Sequence, residues 1–328
     1  MTKKDFTVLS NYDGLELKGM IYEPDGKAKG IVQILHGMCE FKERYTDFMR
    51  FLSGNGYIAA CYDQRGHGDS VKSEEDLGWF GDTKAKAIVD DAVQVTQYLR
   101  SQYPNLPLTL FGHSMGSMVV RCYLHEHDTE IEQLIVCGSP SKNPFVGMAI
   151  GLTKCIALFR GARHRSKFLS YASTGRGNKR FKGEGKGAWL SQNRKSIEKF
   201  YANPKSKHKF TCNGFENLFR LMKGTYQKSR YQVRNETLPI LFLSGDRDVV
   251  IGDPYRWQQS VDVLIEVGYQ NVTGKLYTDL RHEILNEYAH QQVYRDILGF
   301  LKFAKLPEEM GQVCDENMFE EMSDTKNA

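Results

Sequence analysis

Leu108-Thr-Leu-Phe-Gly-His-Ser-Met-Gly-Ser117 is the stretch from which the rest of the chain can be read. Residues 108–111 have the apolar character of a buried strand, and 117–124 that of a helix. Between them stands Ser114, with a glycine two residues away on either side, the spacing of a nucleophile elbow. A turn this tight strains the central residue and leaves no room for side chains at the flanking positions. The helix behind it aims its N-terminal N–H groups and positive dipole end at the place where an oxyanion would form.

Strand and helix patterns alternate on both sides of the elbow. Residues 30–35, 57–62 and 238–243 are continuous apolar runs suited to strands buried on both faces. Residues 131–137 and 272–277 add strands, while 44–54, 83–103, 254–268 and 283–304 carry helical spacing. Residues 6–9 and 15–22, joined by the turn-rich Ser10-Asn-Tyr-Asp-Gly14, predict a hairpin. The rhythm predicts an α/β fold: a mostly parallel sheet flanked by helices, antiparallel at one edge, with sites at the carboxyl ends of its strands. It lapses from about residue 140 to 235. Residues 1–139 and 236–305 are therefore read as the core and 140–235 as an inserted, largely helical cap. Residues 306–328 read as an acidic tail, expected to be disordered.

At 328 residues, with 41% hydrophobic and 26% charged residues, the composition is that of a globular protein. No run approaches the ~18 apolar residues of a membrane span. The start, Met1-Thr-Lys-Lys, is followed by no apolar stretch of the signal-peptide kind. Seven scattered cysteines without a CxxC spacing point to a reduced, cytoplasmic setting. The net charge of +4 hides an asymmetry: 140–235 holds 22 Lys and Arg against three acids, so the insertion carries +19 and the remainder −15. The tail alone has seven acids and one lysine.

Three later loops carry Ser114, Asp248 and His282, in the chain order of the α/β-hydrolase arrangement. Serine is a poor nucleophile unaided and needs a base within hydrogen-bond reach. His282 would take its proton and return it to the leaving group, and Asp248 would fix the tautomer and stabilise the imidazolium. The backbone N–H groups of Met115 and Met38 are the expected oxyanion donors. Asp246 competes with Asp248 in the same loop, and spacing from Gly245 favours Asp248. His290 is a rival base, expected instead on a helix surface, and Asp253 before Pro254 reads as a helix N-cap. His36, His67 and His113 are expected to orient loops by hydrogen bonding.

The motifs resemble those of the serine-hydrolase family that contains monoacylglycerol lipases and bacterial lysophospholipases, relatives of the serine aminopeptidases. His36-Gly-Met-Cys-Glu40 is similar to its HGxxE oxyanion loop, Asp63-Gln-Arg-Gly-His-Gly-Asp-Ser70 to its DxRGHGxS loop, and Gly112-His-Ser-Met-Gly116 to its GHSMG elbow. Gly245-Asp-Arg-Asp248 is similar to the acid loop and Leu280-Arg-His282-Glu to the histidine loop. The resemblance implies a cofactor-free α/β-hydrolase that cleaves the ester of a single-chain lipid. One departure is Cys39, where the family often has glycine. A peptidase or amidase of the same fold and a non-catalytic ligand binder on the same scaffold are the alternatives.

No metal site is expected, because His125 and His127 diverge on a helix end. No phosphate-cradling glycine loop accompanies a strand–helix unit. The basic insertion reads either as a solvated surface or as a face held against anionic lipid. In the second reading Arg163, Arg165, Lys167, Arg176, Lys179, Arg180, Lys182 and Lys186 act with Phe168, Tyr171, Phe181 and Trp189, leaving the enzyme peripheral at a membrane. No nucleic-acid motif accompanies the charge. The apolar residues Val146, Met148, Ile150, Leu152, Ile156, Leu158 and Phe159 read as ordinary helix packing or as the wall of an acyl tunnel.

Overall fold

A computed structural model describes residues 1–175 and 177–306, without the side chains of residues 174 and 175. Arg176 and residues 307–328, where nearly all of the acidic tail falls, lie outside the described residues. The apolar runs form the strands: β1 (Thr2–Leu9), β2 (Glu16–Glu23), β3 (Gly30–Leu35), β4 (Tyr57–Tyr62), β5 (Leu108–His113), β6 (Gln133–Cys137), β7 (Ile240–Gly245) and β8 (Val272–Tyr277). They build one sheet in the order β1-β2-β4-β3-β5-β6-β7-β8. The pairs β1/β2 and β2/β4 are antiparallel, and all others are parallel. Every residue of β3, β4, β5 and β7 is buried, as continuous apolar strands require.

Helices α1 (Thr46–Gly54), α2 (Ala85–Gln102) and α3 (Met115–Tyr123) follow β3, β4 and β5. Between β6 and β7 run α4 (Val146–Arg160), α5 (Lys167–Ser170), α6 (Arg194–Ala202) and α7 (Cys212–Thr225). Then come α8 (Pro254–Val267) and α9 (His290–Phe303). Phe48 and Leu52 of α1 pack with Val293, Ile297 and Phe300 of α9 on one face of the sheet. Ile88 of α2, Met118 of α3, Phe215 of α7 and Leu264 of α8 join the core on the other. Asp253 caps α8, accepting from the Arg256 N–H, with Pro254 at the first helical position.

Two expectations need correction. The closing helix does not begin at residue 283: a 3₁₀ turn, Ile284–Asn286, comes first, and His290 opens α9 instead of sitting within it. Glu283 at ψ 66° and Glu287 at ψ 165° leave the helical region, and the Glu283 N–H and the Asn286 carbonyl bond instead to the Leu190 carbonyl and the Asn193 amide, so no helix runs through residue 287. Helix α4 also differs. Val146, Ile150 and Ile156 pack on the core, but Met148, Leu152, Leu158 and Phe159 face outward, the last two 81% and 78% exposed. Those four form an exterior surface, not a tunnel wall. Among the described residues no helix is long and apolar enough to cross a membrane.

Candidate active site

The site forms where β5, β7 and β8 end. Ser114 sits at φ 54°, ψ −113°, a conformation that β5 and α3 impose from either side. Its N–H donates to the Cys137 carbonyl at 2.9 Å, and its own carbonyl accepts from the Ser117 N–H at 3.0 Å. The glycines have a steric cause. A Cβ at Gly112 would lie 2.4 Å from the Gly116 carbonyl oxygen, and one at Gly116 would lie 2.1 Å from that of Leu35. Helix and sheet thus approach closely enough to leave the Ser114 hydroxyl at the carboxyl end of the interior strand β5.

The structure brings Ser114, His282 and Asp248 together. His282 Nε2 is 2.9 Å from Ser114 Oγ, and Nδ1 is 2.8 Å from Asp248 Oδ2. Asp248 is fully buried and also accepts from Ser244 Oγ at 3.2 Å and the Val250 N–H at 2.8 Å. Since an ionised carboxylate only accepts, His282 donates from Nδ1 and keeps Nε2 free to take the hydroxyl proton. Asp246 turns away, accepting from the Asp279 N–H. Among the described residues the N–H groups of Met38 and Met115 have no carbonyl acceptor, and Met115 is the first residue of α3. This arrangement can activate a hydroxyl and hold a developing negative oxygen.

The loop after β3 is held from below by Glu40. Its carboxylate accepts from the Gly37 N–H at 2.6 Å, Tyr45 Oη at 2.8 Å, Arg44 Nε at 2.9 Å and His113 Nδ1 at 3.2 Å. The other nitrogen of His113 faces the His282 carbonyl at 3.2 Å. Both partners of His113 are acceptors, and although burial opposes its charge, the hydrogen bond and charge of Glu40 raise its pKa above the usual value. Arg44 in turn pairs with Glu283 at 2.5 Å. Glu40 was legible as part of the HGxxE loop, but its part in joining three loops was not.

The loop between β4 and α2 serves as a support. Gln64 donates its N–H to His36 Nε2 at 3.0 Å and its side-chain amide to the His36 carbonyl at 2.6 Å. Burial lowers the pKa of His36, which donates from Nδ1 to the Gly37 carbonyl as a neutral ring. Glu43, Asp63 and Asp69 come close enough for a cation, but the ammonium of Lys42 contacts all three and that of Lys205 contacts Glu43 and Asp69. The cluster is an ion-pair network. Cys39 occupies φ 59°, where glycine is the unstrained residue. Burial pushes its thiol up to about 12, and Sγ faces the His208 carbonyl, so it is no nucleophile.

Several cap residues fall elsewhere than the lipid-facing reading placed them. Phe181 is buried under the Arg281 guanidinium at 4.0 Å, and Trp189 stacks on His282. Arg165 donates to the carbonyls of Leu77 and Glu75 at 2.7 Å, whereas Arg163 pairs with Asp76 at 2.7 Å and stays exposed. Phe168, Tyr171, Lys167, Lys179, Arg180, Lys182 and Lys186 remain exposed. A cleft of 490 Å³ lies apart from Ser114, between α1, α6 and the start of α9, with Arg44, Lys199 and His290 among its walls.

Comparisons with known proteins bear on the fold and the family. The family described as serine aminopeptidase, S33, matches residues 26–289. A monoacylglycerol lipase of Mycolicibacterium smegmatis is 24% identical over 292 residues, covering 88% of this chain and 93% of that protein. The monoglyceride lipase of Homo sapiens is 31% identical over 116 residues, 35% of this chain and 37% of that protein. A thermostable carboxyl esterase from Bacillus coagulans, solved in complex with glycerol, superposes with a TM-score of 0.82 at 25% identity over 92% of this chain and 98% of that one. A soluble variant of monoglyceride lipase from Saccharomyces cerevisiae shares the fold, with a TM-score of 0.71 at 19% identity over 93% of this chain and 97% of that one. The sheet, the elbow and the family match lead to one conclusion: the chain belongs to the serine aminopeptidase S33 family of α/β-hydrolases.

Proposed function

We propose that the chain is a carboxylic ester hydrolase acting on a single-acyl-chain lipid, a monoacylglycerol or lysophospholipid, through an acyl-serine intermediate. The observation that carries this reading is the continuous hydrogen-bonded line from Ser114 Oγ through His282 to Asp248. Ser114 Oγ attacks the ester carbonyl carbon as its proton passes to His282 Nε2. Asp248 stabilises the imidazolium, and the N–H groups of Met38 and Met115 receive the oxyanion. His282 then protonates the departing alkoxide, leaving the acyl group on Ser114. A water molecule, deprotonated by the same imidazole, releases the fatty acid. The likeness to lipases that act on monoacylglycerols supports the choice of lipid.

A fluorophosphonate probe tests the mechanism: it labels the native protein and not Ser114→Ala. A series of p-nitrophenyl esters of rising chain length, followed by monoacylglycerol and lysophospholipid, tests the substrate. Absence of labelling favours a binder without turnover. Cleavage of aminoacyl anilides in preference to every ester favours an amidase.

The outward face of α4 supports the further reading that the insertion rests on an anionic lipid surface. Phe145, Met148, Leu152 and Phe159 follow one another at spacings of three, four and seven residues, and all are exposed. Lys154, Arg160 and Lys167 lie on or just after the helix and are exposed. Each such charge contributes about 1 kcal/mol near an anionic membrane. Co-sedimentation with vesicles containing phosphatidylglycerol is expected to weaken as salt rises and to be lost in Leu158→Asp/Phe159→Asp. Equal binding to neutral vesicles at all salt concentrations would remove the electrostatic part of this reading.

A further inference from the structure

The loop that carries His282 is clasped by residues 188–193 of the insertion. Arg281 Nη1 donates to the Ala188 carbonyl at 2.6 Å, and the Glu283 N–H donates to that of Leu190 at 2.7 Å. The buried carboxylate of Glu287 gathers the Arg281 N–H at 3.1 Å, Ser191 Oγ at 2.7 Å and the Gln192 N–H at 2.8 Å. Gln192 Nε2 reaches the Asp279 carbonyl at 2.6 Å, and Asn193 Nδ2 reaches that of Asn286 at 2.9 Å. Trp189 lies inside this clasp. Its indole stacks on the His282 imidazole with ring centroids 5.4 Å apart and planes 29° from parallel. Gly177 backs the indole so closely that a Cβ there would sit 2.8 Å from the ring.

We propose that Trp189 is a positioning residue for the base, resting on the hydrolase reading given above. Its π face holds the imidazole plane toward Ser114 and attracts the ring when it becomes positive. The other groups around His282 are accounted for. Asp248 holds Nδ1, Ser114 faces Nε2, and the His113 ring, backed by Glu40, stands 4.7 Å away. Arg281 is paired with Glu184 at 2.5 Å and Glu283 with Arg44 at 2.5 Å. Cys137 is buried at the end of β6. Trp189 adds no formal charge to this set. Its contribution is quadrupolar, favouring the imidazolium that forms as the serine proton moves.

Two measurements on the full chain test this. A protonated imidazole quenches an indole stacked on it. Native emission should therefore fall with decreasing pH at the same midpoint as the low-pH limb of kcat/KM for a soluble p-nitrophenyl ester. The fall should vanish in Trp189→Phe, whose emission comes from Trp79 and Trp257, and in His282→Gln. In Trp189→Leu the limb should move to lower pH by about half a unit and kcat should drop about threefold to thirtyfold, with KM within about twofold. Trp189→Phe, which keeps a weaker aromatic face, should fall between the two. The proposal is overturned by an unmoved limb in Trp189→Leu, or by native quenching that persists in His282→Gln. The emission arm needs no turnover, so a protein that quenches as expected yet hydrolyses no ester would refute the hydrolase reading and leave the Trp189 contact standing.

Discussion

Glu40 and His113, 73 positions apart in the chain, form a buried ion pair directly behind the candidate base. Burial opposes the charge on His113, but the hydrogen bond and charge of Glu40, with Glu283 and the His282 carbonyl, raise it above the usual 6.5. Burial also opposes the charge on Glu40, yet the hydrogen bond and charge of His113, with Arg44, hold that carboxyl well below 4.5. A raised basic group stabilises the fold below its unfolded value and loses that contribution as pH rises through the folded one. A lowered acid stabilises above its unfolded value and loses that contribution as pH falls through the folded one. The pair is therefore worth most between 4.5 and 6.5. Melting curves should show the widest gap between the native protein and His113→Gln at about pH 5.5, narrowing toward about pH 9. A gap that ignores pH would argue against the charged form.

Asp248→Asn should keep the fold and lose activity. An amide can offer its N–H to His282 Nδ1 and so favour the wrong tautomer, with Nε2 protonated against Ser114. A fall in kcat of about 10³- to 10⁴-fold is expected, with the folded spectrum unchanged. Asp246→Asn, whose carboxylate serves the Asp279 N–H, should cost less than about tenfold. Reversal of the two effects in steady-state assays would move the acid to Asp246.

Cys39 holds a left-handed backbone without being glycine. Cys39→Gly removes about 1 kcal/mol of strain and a weak Sγ contact, and urea unfolding should place it within about 1 kcal/mol of the native protein. Cys39→Val, branched at a positive φ, should lose about 1–3 kcal/mol. Equal stability of the two variants would show that the loop adopts another backbone.

Arg65 is 1% exposed and joins the hairpin to α2, with Nε 2.9 Å from Asp91 Oδ2, Nη1 2.6 Å from Asp13 and Nη2 2.8 Å from Ser10 Oγ. Arg65→Met strands the buried Asp91 carboxylate and should destabilise by about 3–5 kcal/mol. Arg65→Met/Asp91→Leu should recover much of that in denaturant titrations. If the double variant is no better than the single, packing and not the stranded charge sets the cost.

The central strands and the elbow could be read directly because their cause is local. A strand buried on both faces must be apolar throughout, and a turn where a Cβ would fall within 2.5 Å of a neighbouring carbonyl oxygen must use glycine. Ser114, Asp248 and His282 were legible because each follows a recognisable strand. Other features depend on partners far away in the chain. Ile284 and Leu285 look helical until the backbone around them is seen bonded to residues 190 and 193. Helix α6 went unread within the insertion, and Phe181 and Trp189 looked like surface aromatics. Their true neighbours, Arg281 and His282, lie about a hundred residues on and carry no periodic signal.

The hydrogen bonds from residues 188–193 to residues 279–287 bear on recombination between family members. Swapping the insertion alone, with crossover points near residues 140 and 235, would separate Ser191 and Gln192 from Glu287 and leave that buried carboxylate facing foreign donors. A chimaera that carries residues 279–287 along with the insertion preserves the match. What passes as one unit in this chain is the inserted segment together with a loop that lies beyond the next two strands.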